Sequence, residues 1–235
     1  MKKIILSAFL LVTPLVTNAQ MFSYSETQTI RRPSTTFLRV GLPTLEFQYK
    51  GGSVASLNNL ELNQSGIFIG IESPSFNLAL NMANRLTGAE DQNLTSFEIG
   101  YNNNINLVSR SAFRLALPLH LASTLLSVTN DISRDDFNQL GISFNPGVLL
   151  DLRLKNKIQL VNQANLGYGF SSSSGGFFGG SVSGLNLKSR INILRLIGGR
   201  SISFGYDYLL RSYDIDGEEF DYDLNGHTFS IGISI

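Results

Sequence analysis

The stretch LGISFNPGVLLDLRL, residues 140–154, decides how the rest of the chain is read. Its even positions, Leu140, Ile142, Phe144, Pro146, Val148, Leu150, Leu152 and Leu154, are all apolar. Its odd positions are Gly141, Ser143, Asn145, Gly147, Leu149, Asp151 and Arg153. Alternation of this kind marks a strand with one apolar face, because successive side chains leave opposite sides of the pleat. A strand in a soluble protein has about 5 to 6 residues, and this one keeps its phase from Leu140 to Leu154. A face that long suits a slab of hydrocarbon, which a tilted strand crosses in about 9 to 11 residues.

The same period of two recurs from end to end. Phe76, Leu78, Leu80 and Met82 alternate with Asn77, Ala79, Asn81 and Ala83, and Phe113 through Leu121 alternate with Arg114, Ala116, Pro118 and His120. Ile202, Phe204, Tyr206, Tyr208 and Leu210 oppose Ser203, Gly205, Asp207, Leu209 and Arg211, and the final residues set Phe229, Ile231, Ile233 and Ile235 against Thr228, Ser230, Gly232 and Ser234. Near the start, Leu45, Phe47 and Tyr49 alternate with Glu46 and Gln48. Ten strands are predicted, at 36–50, 65–72, 76–86, 95–108, 112–127, 138–154, 158–170, 185–196, 200–214 and 226–235, with eight as the other count considered. Their connections alternate between short turns, such as Ser73-Pro74-Ser75 and Ser109-Arg110-Ser111, and long loops.

In hydrocarbon an open sheet edge would leave backbone N–H and C=O groups unpaired at several kcal/mol each, so spanning strands must close on themselves. The expected fold is therefore all-β: a closed antiparallel up-and-down transmembrane β-barrel, apolar side chains outward and polar ones inward. Short turns are expected on the periplasmic side and long loops outside. Phe47, Tyr49, Phe97, Tyr168, Phe170, Tyr208 and Phe229 fall toward the loop ends of their strands and are expected outward, as an interfacial girdle.

Composition narrows the partners. The chain has 18 basic and 18 acidic residues, without the cationic excess that nucleic-acid binding requires. With no cysteine, disulfides, thiolate metal sites and thiol catalysis are excluded. The opening MKKIILSAFLLVTPLVTNAQ has the charged, apolar and small-residue order of a secretory signal peptide, with cleavage expected after Ala19. The expected organisation is a signal peptide at 1–19, a periplasmic segment at 20–35 and the barrel at 36–235.

In pattern, and in its last strand HTFSIGISI, the chain resembles the small outer-membrane barrels of Gram-negative bacteria in the manner of the OmpA, OmpX and PorT-like proteins. The NAQ ending of the leader is similar to those of Bacteroidota. It departs from the best-known pattern by ending in Ile235 rather than an aromatic residue. The resemblance implies a location in the cell outer membrane, with outer-membrane lipid, lipopolysaccharide and other envelope proteins as partners.

Parity assigns Glu98, Arg114, His120, Asp151, Arg153, Arg190, Asp207 and Arg211 to the lumen as a polar network. In a narrow bore these charges are expected to pair into a plug; a polar channel is the other arrangement, since Gly141, Gly147, Gly167, Gly169 and Gly205 leave room. The acidic stretch DIDGEEFDYD offers Asp214, Asp216, Glu218 and Asp221 as oxygen ligands for Ca²⁺, without the spacing of an EF-hand loop; a solvated hairpin tip is the preferred reading. The tract SSSSGGFFGGSVSG lacks the GK[ST] of a phosphate cradle, and its Phe177 and Phe178 are candidates to touch lipid or a partner. No cofactor motif is present. His227 beside Asp221 and Asp223 invites comparison with omptin proteases, but its parity points it outward; neither His120 nor His227 has the serine two residues on that lipid A deacylases carry. Three functions are therefore weighed: a non-enzymatic structural, interaction or envelope-complex protein as the first, a narrow porin-like channel for small polar solutes or ions as the second, and a surface hydrolase as the third.

Overall fold

In the computed structural model the described residues are 35–50, 60–83, 92–132, 135–154, 157–173, 179–215 and 221–235. The expected leader, Phe177, Phe178, Asp216 and Glu218 lie outside them. Ten strands run β1 (Phe37–Tyr49), β2 (Leu62–Glu72), β3 (Phe76–Ala83), β4 (Gln92–Ser109), β5 (Phe113–Asn130), β6 (Asp135–Leu154), β7 (Ile158–Ser173), β8 (Gly180–Ile197), β9 (Arg200–Ile215) and β10 (Tyr222–Ser234). Each pairs antiparallel with its neighbours in sequence, and β10 pairs with β1 from Phe37↔Ser234 to Tyr49↔Tyr222, closing the ring. The tightest connection, between β8 and β9, is Gly198-Gly199, both at positive φ as a two-residue hairpin requires.

The faces divide as the stretch at 140–154 predicts. On β6, Leu140, Ile142, Phe144, Val148 and Leu154 are exposed, while Gly141, Leu149 and Asp151 are buried. Register then joins such faces into one surface: Leu38 lies beside Ile233, Val40 beside Ile231 and Ile69, and Leu42 beside Phe229. Leu42 is 70% exposed, Phe229 66% and Leu166 68%. The surface continues through Ile99 and Tyr101 on β4, Leu121 and Leu125 on β5, Tyr168 and Phe170 on β7, and Leu187 and Ile191 on β8. Water-soluble proteins rarely expose apolar patches beyond a few hundred Å²; a belt that circles the barrel is a surface made for acyl chains.

Toward the loop end the two faces exchange character on the same strands. On β1 the outward residues pass from Leu38, Val40 and Leu42 to Thr44, Glu46 and Gln48, while the inward ones pass from Arg39, Gly41 and Pro43 to Leu45 and Phe47. On β10, Phe229, Ile231 and Ile233 are outward and exposed, yet Leu224 and Tyr222 are inward and buried. Leu62, Leu94, Phe137 and Val182 make the same exchange at the loop-end starts of β2, β4, β6 and β8. The barrel thus leaves the hydrocarbon while still a barrel and becomes, above it, an ordinary water-facing one with a dry core.

This exchange corrects two of the girdle residues. Phe47 is fully buried, and Tyr49 packs against the same internal cluster, so both line the bore rather than the interface. Phe97, Tyr168, Phe170, Tyr208 and Phe229 keep the outward parity expected of them. The collar also lengthens the strands past their predicted starts, to Leu62, Gln92, Asp135, Gly180 and Tyr222.

Nitroxide labels separate the two zones. Labels at Leu150 and Gln48, both on the outside, are expected to respond oppositely: the first to lipid-soluble oxygen, the second to a water-soluble nickel reagent. A label at Asp151 is expected to be shielded from lipid-borne oxygen. Equal lipid contact at Leu150 and Gln48 would refute the exchange of faces.

Candidate functional site

Among the described residues the bore is where the fold gathers charge, and it is built in layers. At the loop end the inward apolar residues meet across the ring. Phe137 of β6 stands 5.3 Å from Phe47 of β1, ring centre to ring centre, and these strands are diametrically opposed in the ring of ten. Tyr222 stacks on Phe47 at 4.4 Å and meets Phe137 at 5.1 Å, and Tyr213 touches Phe137 edge-on at 6.1 Å. Leu45, Leu60, Leu62, Leu94, Leu126, Val128, Val182 and Leu224 fill the space around the rings. This layer is apolar and closely packed.

Below it, charged side chains cross the bore. Arg211 of β9 donates through Nη2 to Glu98 Oε2 on β4, again the opposite wall, and through Nη1 to Thr124 Oγ1 at 3.3 Å. Asn77 Nδ2 donates to the other Glu98 oxygen at 3.0 Å. One layer further down, Arg190 donates to Glu72 Oε2 at 2.9 Å and to Asp207 Oδ1 at 2.7 Å. Arg39, 1% exposed, adds a longer contact to Glu72 at 3.4 Å and donates to Ser203 and Ser230 at 2.9 and 3.0 Å. Charges paired in this way avoid the cost of an isolated charge away from water.

The glycines that left room in the sequence have that room filled. A Cβ on Gly205 would come within 1.9 Å of the Arg39 guanidinium, and one on Gly100 within 2.1 Å of both Asn77 Oδ1 and His120 Nε2. The amide of Asn145 occupies the space over Gly167, and that of Asn165 the space over Gly147. Small residues on one wall therefore accommodate long ones reaching from elsewhere.

All eight predicted network residues have the inward parity expected of them, but they do not form one cluster. Glu98 and Arg211 make one pair, Arg190 and Asp207 belong to a second group, and His120 is buried beside Gly100. Asp151 is buried near the turn end, where Gln159 Nε2 donates to it at 3.0 Å. Arg114, directly across from Asp151 in register, donates to Asn106 at 2.6 Å, and Arg153 lies half-buried close by. Arg39, Glu72 and Lys188 are the charged lumen residues that sequence reasoning left out. Glu72 was legible as the polar neighbour of Ile71, and Arg39 as the residue between Leu38 and Val40.

Outside, His227 faces away from the bore as predicted. Its Nδ1 lies 2.7 Å from Tyr206 Oη, its ring 4.9 Å from that of Tyr208, and Tyr206 packs on Phe229 at 5.0 Å. This aromatic group sits where the apolar belt gives way to Thr44, Asn225 and Asp223. Of the acidic residues considered for Ca²⁺, Asp214 and Asp221 are described, and the described residues contain no group of three His, Cys, Asp or Glu side chains set to hold a metal ion.

No family model matches the sequence, and no curated protein sequence does. Among solved structures the chain is similar to Ail, the attachment invasion locus protein of Yersinia pestis, at 10% identity over 87% of this chain and 100% of that one, with a TM-score of 0.31. It is similar to the outer membrane protease OmpT of Escherichia coli at 10% identity over 89% and 99%, with a TM-score of 0.46. A third is Neisserial surface protein A, at 11% identity over 85% and 96%, with a TM-score of 0.35. These are likenesses of general shape and transfer no activity.

The cross-bore pair gives a sharp expectation. Glu98→Gln leaves Arg211 buried with its charge uncompensated, and is expected to lower the unfolding free energy in lipid vesicles by about 3–5 kcal/mol. Replacing both residues together, by Glu98→Leu with Arg211→Met, is expected to cost clearly less than Glu98→Gln alone. Equal losses in urea titrations would show that the pair carries no coupling.

Proposed function

We propose that the chain is an integral outer-membrane β-barrel protein whose bore is closed, and that it works through its outer end as a non-enzymatic structural or interaction component of the envelope. The observation that carries this reading is the double closure of the lumen. Aromatic rings from opposite walls meet at the loop end, and arginine–carboxylate bridges span the bore beneath them. A path for solutes would need both layers to part.

Other features support the same reading. The export leader expected at the N-terminus and the lipid-facing belt fit the outer membrane of a Gram-negative cell, and the OmpA, OmpX and PorT-like resemblance, with a Bacteroidota source, is its finer form. The collar carries the loop-end starts and ends of the strands clear of the lipid-facing belt, a placement suited to contact with other envelope components. His227 is engaged by Tyr206 and Tyr208 on the outer face, an arrangement that favours an interfacial role over a hydrolytic one.

Planar-bilayer recording tests the closure. The wild-type protein is expected to give no unitary conductance steps, whereas Phe47→Ala combined with Phe137→Ala removes the rings that meet across the bore and is expected to raise leak through the barrel. Each truncation is also expected to cost about 3–5 kcal/mol in stability. Regular steps from the wild-type protein would return the porin-like reading. Hydrolysis of an envelope substrate that disappears in His227→Ala would return the hydrolase.

A further inference from the structure

Between the two ion-pair groups the bore is not completely filled. A cavity of about 80 Å³ lies against β1, β2, β3, β4, β8, β9 and β10. It has room for several water molecules, or for a small ion with part of its hydration shell.

The charges around this cavity do not balance. Arg39, Lys188, Arg190 and Arg211 are on its wall, against the carboxylates of Glu72, Glu98 and Asp207. All three carboxylates are committed to arginines: Glu98 to Arg211, Asp207 to Arg190, and Glu72 to Arg190 and Arg39. Lys188 stands within electrostatic reach of Glu72 and Glu98 but forms no direct ion pair with either, and is the cation left over. It stands directly across from Asp207 in the β8–β9 register, but Arg190 already holds that carboxylate at 2.7 Å. Among the described residues Lys188 has no ion pair within 4.0 Å. A second group also points to an occupant: the Nε of Arg39, a side chain 99% buried, has no hydrogen-bond partner.

From this cavity we propose that the bore holds one small monovalent anion, of the size and charge of chloride, between Lys188 and the arginines. The sign follows from the wall, where four cationic side chains face three anionic ones that are already bridged. Asn77, Asn81 and Asn186 turn unpartnered amide oxygens toward the same region, which by themselves suit a cation. Four positive charges at close range oppose that choice, and Asn81 and Asn186 can present Nδ2 to an anion by rotating their amide groups. An ion there would leave the middle of the bore neutral without any further carboxylate in the sequence. It would be a structural ion, held by a closed lumen rather than passed through it.

Two measurements on the detergent-solubilised mature chain test this. Unfolding midpoints are compared in sodium chloride and in sodium gluconate at matched ionic strength, gluconate being too large for the cavity. The midpoint is expected to climb with the logarithm of chloride concentration and to stay level in gluconate. Lys188→Met is expected to abolish the difference between the two salts while leaving the barrel at least as stable in gluconate as the wild-type chain. Crystals grown in bromide are expected to show an anomalous peak between Lys188 and Arg39. Identical midpoints in the two salts, an undiminished chloride response in Lys188→Met, or bromide confined to the outer surface would overturn the proposal and leave the cavity holding water alone.

Discussion

Everything in this structure follows from the requirement that no backbone N–H or C=O be left unpaired in hydrocarbon. The β1–β10 ladder, thirteen residue pairs from Phe37↔Ser234 to Tyr49↔Tyr222, is how the chain meets it. Once the ring is closed, each strand has an inside and an outside, and the alternation of the pleat distributes side chains between them. What those side chains must be is then set by two boundaries, the lipid outside and the narrow bore inside. Both boundaries change character along the barrel axis.

That change explains the combination of residues that would otherwise look contradictory. Within the bilayer, Leu42 and Phe229 are solvated by acyl chains, and Arg39 is held inside by Glu72, Ser203 and Ser230. Above it, Glu46 and Asn225 meet water, so the apolar side chains turn inward as they would in any soluble β-protein. Tyr206, Tyr208 and His227 stand at the transition, each with a ring for the hydrocarbon and a polar atom for the headgroups. The inner and outer surfaces exchange roles at nearly the same height.

The alternation made the barrel legible in the sequence, and the exchange of faces limited how far that reading reached. Leu140 to Leu154 keep one phase throughout, so β6 was readable across the membrane, as were the outward residues of β5, β7 and β9. At Phe137, Leu94, Val182 and Tyr222 the phase of the apolar residues slips by one, and a reader following a single parity takes the slip for a loop. Phe47 and Tyr49 were misassigned for the same reason: Leu45, Phe47 and Tyr49 alternate perfectly, but in the collar's phase rather than the membrane's. Lumen residues could be assigned by parity, whereas their partners could not. Arg211 and Glu98 are 113 positions apart, and nothing local says that β9 faces β4 across a ring of ten.

The aromatic contact between β1 and β6 also bears on the order of assembly. Phe47 and Phe137 belong to strands that are never neighbours in the ladder, and they come together only when the sheet has curled far enough to bring opposite walls within reach. Until then both rings are exposed on an open sheet. The collar's dry interior is therefore a late product of closure and cannot template it.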